Sequence, residues 1–267
     1  MLEILTYPPV LRGFVVLLVS GFSFPVVGVY LLRMNLLPLR FMLMHGALLG
    51  GAVALALNIN PLMTTMIVNL LLVWFMIKAS RDLNVNAGFV SIFIMVAAIG
   101  VAFAFISIFN VQAKDTLSLL WGSIYSITPM QTVFFIFVSI LVIVFQILKN
   151  KQLNAVFFDQ SVAFSSGVNE KALQNAVILL TSFIVAVAMK LIGALLIDAI
   201  IILPALISTL HAKSMKEVIK WASLWGGIFA FTGFFASYFL KIPASSAIAV
   251  IATLVFMFFY FKNKFKK

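Results

Sequence analysis

The sequence has no cysteine, only seven acidic residues and only two histidines in 267 positions. Without cysteine there is no disulfide framework, no cysteine-ligated zinc and no thiol nucleophile. Seven carboxylates and two imidazoles are too few for most hydrolytic constellations. Charged residues make up 9% of the chain, against about a quarter in ordinary soluble domains. That balance excludes a soluble globular enzyme and a disordered tail alike. No Gly-x-x-x-x-Gly-Lys-Ser/Thr phosphate loop occurs, no Gly-x-Ser-x-Gly elbow and no His-Glu-x-x-His pair. The chain therefore does not bind ATP by that loop, and the matching hydrolase chemistries are not its own.

What fills the chain instead is apolar, 64% of all residues. The few charges mark off uncharged runs between Arg12 and Arg33, Arg40 and Lys78, Asp82 and Lys114, Asp115 and Lys149, Lys171 and Lys190, and Lys220 and Lys241. A last run covers Ile242 to Phe261. Runs of about 18 residues or more read as membrane-spanning helices. In hydrocarbon each backbone N–H and C=O needs an internal partner, so the spans must be helical. The Arg40–Lys78 run is broken by Asn58-Ile59-Asn60-Pro61, a turn signal that makes it two helices. The expected spans are 10–32, 41–57, 61–78, 88–109, 129–148, 172–189, 191–209, 220–239 and 243–261. The fold class is an all-α polytopic bundle of eight or nine transmembrane helices, one transmembrane domain over 1–267. The longest polar stretch, Lys149 to Lys171, is too short to support a core of its own.

The net charge of +11 is explained by topology rather than by nucleic acid. Lys and Arg accumulate in cytoplasmic loops. An N-terminus outside and a C-terminus inside leaves only Arg12, Lys114, Lys190 and Lys241 of the 18 basic residues outside. The basic C-terminal tail then anchors on anionic membrane lipid. No cleavable signal is evident, and the first span is expected to be retained.

Polar groups at membrane depth are costly and are functional candidates by default. Asp198 lies in Gly193-Ala-Leu-Leu-Ile-Asp198-Ala-Ile-Ile-Ile-Leu-Pro204. If its helix begins near 191, the carboxylate is about 10 Å deep. It must face an interior, a cavity or a partner; the bland alternative is that it reaches interfacial water. His45 sits beside Gly46 and Gly50, a small-residue face that permits close helix approach. Neutral imidazole is a common transition-metal ligand, although a packed histidine bonded to a carbonyl is the ordinary case. Pro204 removes a backbone donor within its helix and is expected to kink it in the pathway. Asp115-Thr116 is expected to cap a short outer or re-entrant helix over the residues that follow. The cytoplasmic stretch Asn154 to Val168 mixes aromatic and polar residues and stops at Gly167. It reads as a short amphipathic helix at the membrane face, or as a lever seated in another protein's groove.

Four stretches together resemble the ABC-3 family of metal permeases, the membrane subunits of bacterial zinc and manganese importers. They are Asp115-Thr-Leu-Ser-Leu-Leu-Trp-Gly-Ser-Ile with Ile127-Thr128-Pro129, then Phe158-Asp159-Gln160-Ser161-Val162-Ala163-Phe164 through Gly167-Val168. Ala188-Met189-Lys190-Leu-Ile-Gly193-Ala194-Leu195-Leu196 running to Ile202-Leu203-Pro204-Ala205 is the third, and Ile242-Pro243-Ala244-Ser245-Ser246-Ala247 the fourth. Their order and spacing agree over essentially the whole chain. The resemblance implies a type II importer-like permease in the bacterial cytoplasmic membrane that carries zinc or manganese and binds no cofactor itself. It implies a homodimer with the metal path at or near the subunit interface. Two cytoplasmic ATP-binding subunits would hold the ATP, and an extracytoplasmic metal-binding protein would deliver the cargo. The segment about 153–170 would be the coupling segment, with Phe158, Asp159, Gln160, Ala163, Phe164 and Gly167 facing the ATPase.

The chain departs from the family pattern at its second span. Members usually carry an acid four residues before the histidine; here that position is Phe41. Asp198 falls where the family has a small or hydroxyl residue. Asp198 is therefore expected to stand in for the missing acid, with His45, as metal ligand. The competing readings are an ABC importer for a metal chelate or small organic solute, and a channel or carrier that needs no ATPase.

Overall fold

A computed structural model describes residues 6–111 and 124–264. Among these there are ten α-helices and no strand. The helices are α1 (Pro8–Arg33), α2 (Leu37–Leu57), α3 (Pro61–Asp82), α4 (Ala87–Ile108), α5 (Pro129–Phe158), α6 (Gln160–Ser165), α7 (Glu170–Ile192), α8 (Ala194–His211), α9 (Met215–Leu240) and α10 (Ala244–Lys264). All but α6 are long and apolar enough to cross a membrane, so nine candidate spans lie among the described residues. The outer or re-entrant helix expected after Asp115 lies outside them.

Helix ends show why these segments begin and stop where they do. The first N–H groups of a helix have no intrahelical acceptor, and the last carbonyls no donor. Asn60 accepts from Leu62 N at 3.0 Å with Pro61 in the first turn. Asn86 accepts from Gly88 N at 2.7 Å, and Asn169 from Ala172 N at 3.0 Å. Thr128 and Gln131 exchange bonds as a capping box over Pro129. At the other ends, Asn35, Asn58, Asn84 and Asn110 all take left-handed φ, between 50° and 55°. Each follows one of α1 to α4, the position where asparagine substitutes for glycine.

Three boundaries differ from expectation. α2 starts at Leu37, because Pro38 fits a first helical turn. Arg40, expected in a loop, is buried within α2 with its guanidinium 4.1 Å from the Phe41 ring centroid. α5 runs on past Lys149 to Phe158, so the first third of the expected amphipathic helix is the end of a span. The sixth and seventh spans, α7 and α8, meet at Gly193, whose φ of +88° breaks the helix three residues later than expected.

The described chain divides into two compact units. One contains α2, α3, α4 and α7, with α2 packed against the other three. The other contains α1 up to Tyr30, α5, α6, α8 from Leu195, α9 and α10. Within the latter, α1 and α9 cross where Gly21 meets Gly226. A Cβ on Gly226 would overlap the Gly21 carbonyl oxygen and the Pro25 ring. Small residues at such crossings let helix backbones approach in a solvent that supplies no hydrophobic drive. Phe14 packs its ring 4.8 Å from Phe234 one step along the same seam, and Ser223 Oγ donates to the Phe22 carbonyl at 2.6 Å. The crossing predicts that Gly226→Ala destabilises the protein by about 1–3 kcal/mol, seen as a lower denaturation midpoint in detergent. An unchanged midpoint would mean the two helices part without cost.

Candidate functional site

The only histidine at the expected depth of a span is carried by the second helix. His45 is half-buried, and its Nδ1 lies 2.8 Å from the Phe41 carbonyl. A carbonyl only accepts, so Nδ1 carries the proton and the Nε2 lone pair is left open. A ligating histidine is normally held this way, its other nitrogen tied to a carbonyl behind it. Phe41, where the resemblance leads one to expect an acid, thus supplies through its backbone the bond that sets the tautomer.

Beside His45, the glycine face of α2 receives α3. A Cβ on Gly46 would overlap the Asn69 side-chain oxygen, and a Cβ on Gly50 would come 2.6 Å from Thr65 Cα. Asn69 is 1% exposed, and neither atom of its amide has a hydrogen-bond partner among the described residues. Sequence reasoning passed over it, although an asparagine inside an uncharged run is itself a signal. The second histidine, His211, is a packing residue. It donates from Nδ1 to the Ile207 carbonyl at 2.9 Å and stacks on Phe259 at 4.9 Å with Trp221 edge-on at 5.2 Å.

Asp198 is half-buried in the first turns of α8. Since α8 begins at Ala194, the carboxylate is about 6 Å from the helix start rather than 10 Å. His45 and Asp198 belong to different units, and each is described within its own. Among the described residues no group of three His, Asp or Glu side chains gathers into a metal cage. Pro204 is buried inside α8, which runs through it without interruption. One turn before it the Ile201 carbonyl is pressed against Gly28 of α1, where a Cβ would overlap it.

The segment expected to couple to an ATPase forms a hook at the end of α5. Asp159 leaves the helix with extended backbone and accepts from Ser161 N at 2.6 Å and from the Ser161 hydroxyl. Gln160 opens the six-residue α6. Ala163 is fully buried and accepts from Val168 N at 3.0 Å, while Gly167 turns the chain with φ of +72°. Phe158 and Phe164 are 82% and 85% exposed. Two phenylalanine rings held out on a short, internally bonded hook suit a groove in another protein.

A sequence profile described as the ABC 3 transport family matches residues 6–263. The chain belongs to the ABC 3 transport family. It is thus a multi-pass membrane permease subunit of an ATP-binding-cassette importer family, in which the ATPase and the substrate-binding protein are separate chains. Among its relatives, the high-affinity zinc uptake system membrane protein ZnuB of Haemophilus influenzae is 22% identical over 264 residues, 99% of each chain. The manganese transport system membrane protein MntC of Listeria monocytogenes is 26% identical over 244 residues, 90% of this chain and 84% of that one. A solved structure, PsaBC from Streptococcus pneumoniae in complex with Fab, superposes with a TM-score of 0.81 at 20% identity. It covers 97% of this chain and 94% of that one, and it shares the fold.

An unpaired amide in a membrane span costs about 1–3 kcal/mol in lost hydrogen bonding. Asn69→Leu in this ABC 3 permease is therefore expected to raise the denaturation midpoint by a comparable amount. A lowered midpoint would show that the amide is already satisfied.

Proposed function

We propose that this chain is the permease of an importer for a divalent transition metal, zinc or manganese, in a bacterial cytoplasmic membrane. The observation that carries this reading is the match to a zinc-uptake membrane protein over 99% of both chains, with manganese-transport relatives beside it. The two units work together as one permease, and two copies pair as a homodimer in membrane lipid. The N-terminus is outside and the C-terminus cytoplasmic, a reading supported by the distribution of Lys and Arg.

His45 offers its Nε2 to the passing ion, and Asp198 supplies the negative charge that the family otherwise places near the histidine. A pathway must bind weakly enough to release, so few ligands suffice; capture affinity belongs to the external binding protein. Phe158, Asp159, Gln160, Ala163, Phe164 and Gly167 form the hook that seats in the ATP-binding subunit. Pro204 lacks the N–H that would bond the Ile200 carbonyl, which leaves that acceptor available along the path. Phe41 in place of an acid favours a second reading, an importer whose cargo is a metal chelate or small organic solute.

Reconstitution with the neighbouring ATPase and binding protein separates the two. Zinc or manganese is expected to stimulate ATP turnover, and His45→Ala and Asp198→Asn to lose roughly tenfold or more of that stimulation while expressing normally. Assembly without stimulation by either metal would move the cargo to chelates or organic solutes. Full stimulation in Asp198→Asn would remove the aspartate from the path.

The hook is tested apart from the cargo. Phe164→Asp puts a charge where an apolar ring meets its groove, and is expected to abolish co-purification of the ATP-binding subunit. Retention of that subunit by the variant would overturn the assignment.

A further inference from the structure

The hook has to move something, and the structure shows what it is tied to. α5 runs unbroken into Phe158, and its last turns carry Gln146, Asn150 and Asn154 at four-residue spacing, which places them on one face. The three side chains are bonded in series. Gln146 Nε2 donates to Asn150 Oδ1 at 3.0 Å, and Asn154 Nδ2 donates to the same oxygen at 3.1 Å. The series continues into another helix: the Tyr30 hydroxyl of α1 donates to Gln146 Oε1 at 2.5 Å. Tyr30 is fully buried, so its hydroxyl avoids a desolvation penalty only through that bond.

The Tyr30 ring is also gripped from both ends of the series. Phe145 and Phe157 each place their ring centroid 6.1 Å from it. Phe157 is the residue next to Phe158, where the hook begins. At that same end Asn154 Oδ1 is buried without a hydrogen-bond partner among the described residues. The series is one bond short where it meets the hook and complete where it meets α1.

We propose that Tyr30, Gln146, Asn150 and Asn154 form a polar splint that makes the hook, the end of α5 and α1 move as one body. Tyr30 is its positioning residue. The splint receives displacement at the hook and delivers it to α1, whose chain leads through Arg33 directly into α2 and His45. None of the four touches cargo or nucleotide. A splint of side-chain hydrogen bonds resists shear along the helix axes, which apolar contacts between smooth helices do not. The inference rests on the hook serving as the docking element, and not on the identity of the cargo.

The chain has no cysteine, so two introduced thiols report without background. Spin labels are placed on Ser166→Cys, exposed in the turn that closes the hook, and Leu11→Cys near the start of α1, in permease purified with its co-purifying ATP-binding subunit. With the splint intact, the label-to-label distance distribution stays narrow and the same with and without ATP. Tyr30→Phe removes only the hydroxyl, and is expected to broaden the distribution and make it respond to ATP. Gln146→Leu is expected to do the same, and the double variant to do no more than either single one, since both act on one bond. In vesicles with the binding protein, metal moved per ATP hydrolysed is expected to fall about fivefold or more in either variant, with ATP turnover retained. A residue that served stability alone would lower transport and turnover together. A distribution in Tyr30→Phe identical to the parent's, in both nucleotide states, overturns the splint. If the parent complex turns over ATP yet moves neither zinc nor manganese, the cargo assignment fails while the distance measurement still decides the splint.

Discussion

Every feature of this chain depends on one constraint: inside a bilayer no backbone donor or acceptor can be left for water to satisfy. The helices answer it along their length, and the ends, where that answer runs out, are closed by a small set of side chains. Asparagine does most of this. It caps the starts of α3, α4 and α7 and takes the left-handed turn after α1, α2, α3 and α4. Its short amide tolerates that conformation and bonds its own backbone, a combination otherwise reserved for glycine. The connections are tight because both halves of each turn are written into the chain.

The same constraint shapes the packing. Buried hydroxyls turn back on their own helix: Ser20 donates to the Val16 carbonyl, Ser91 to Ala87, Thr181 to Val177 and Ser182 to Ile178. Polar side chains that reach beyond their own helix are therefore few, and they stand out. Tyr30 to Gln146 is one of them; Ser223 to Phe22 and Asn263 to Leu210 are others. Between helices, glycine supplies the approach distance. Gly21 against Gly226 and Gly46 against Asn69 place backbone where side chains would otherwise hold the helices apart.

The fold was largely legible because charge in a membrane chain is sparse and each charge ends a run. Where that rule failed, a charge lay inside a helix. Lys149 and Lys151 read as the end of a span, yet α5 continues with its basic side chains flanking the Gln146, Asn150 and Asn154 face. Arg40 read as loop, yet it lies buried on α2 against Phe41. The site was legible in part. The shape of the hook could be read from Asp159 and Gly167, a turn-forming acid and a glycine that bracket Phe164. The tautomer of His45 could not, since it is fixed by a backbone carbonyl. Asn69 and Tyr30 are single polar residues in apolar runs and drew no reading; only the neighbouring helix shows that one faces a glycine and the other a glutamine.

The length of α5 carries a consequence for the membrane itself. Its 30 residues extend about 45 Å at 1.5 Å per residue, while the hydrocarbon core is about 30 Å thick. The surplus sets how far the hook stands off the headgroups. On the docking role proposed for the hook, acyl-chain length then acts as a spacer between the bilayer plane and the partner: longer lipids swallow turns of α5 and draw the hook inward, shorter ones leave it proud. The host's lipid composition becomes a mechanical setting of the machine, adjustable without any change in the protein.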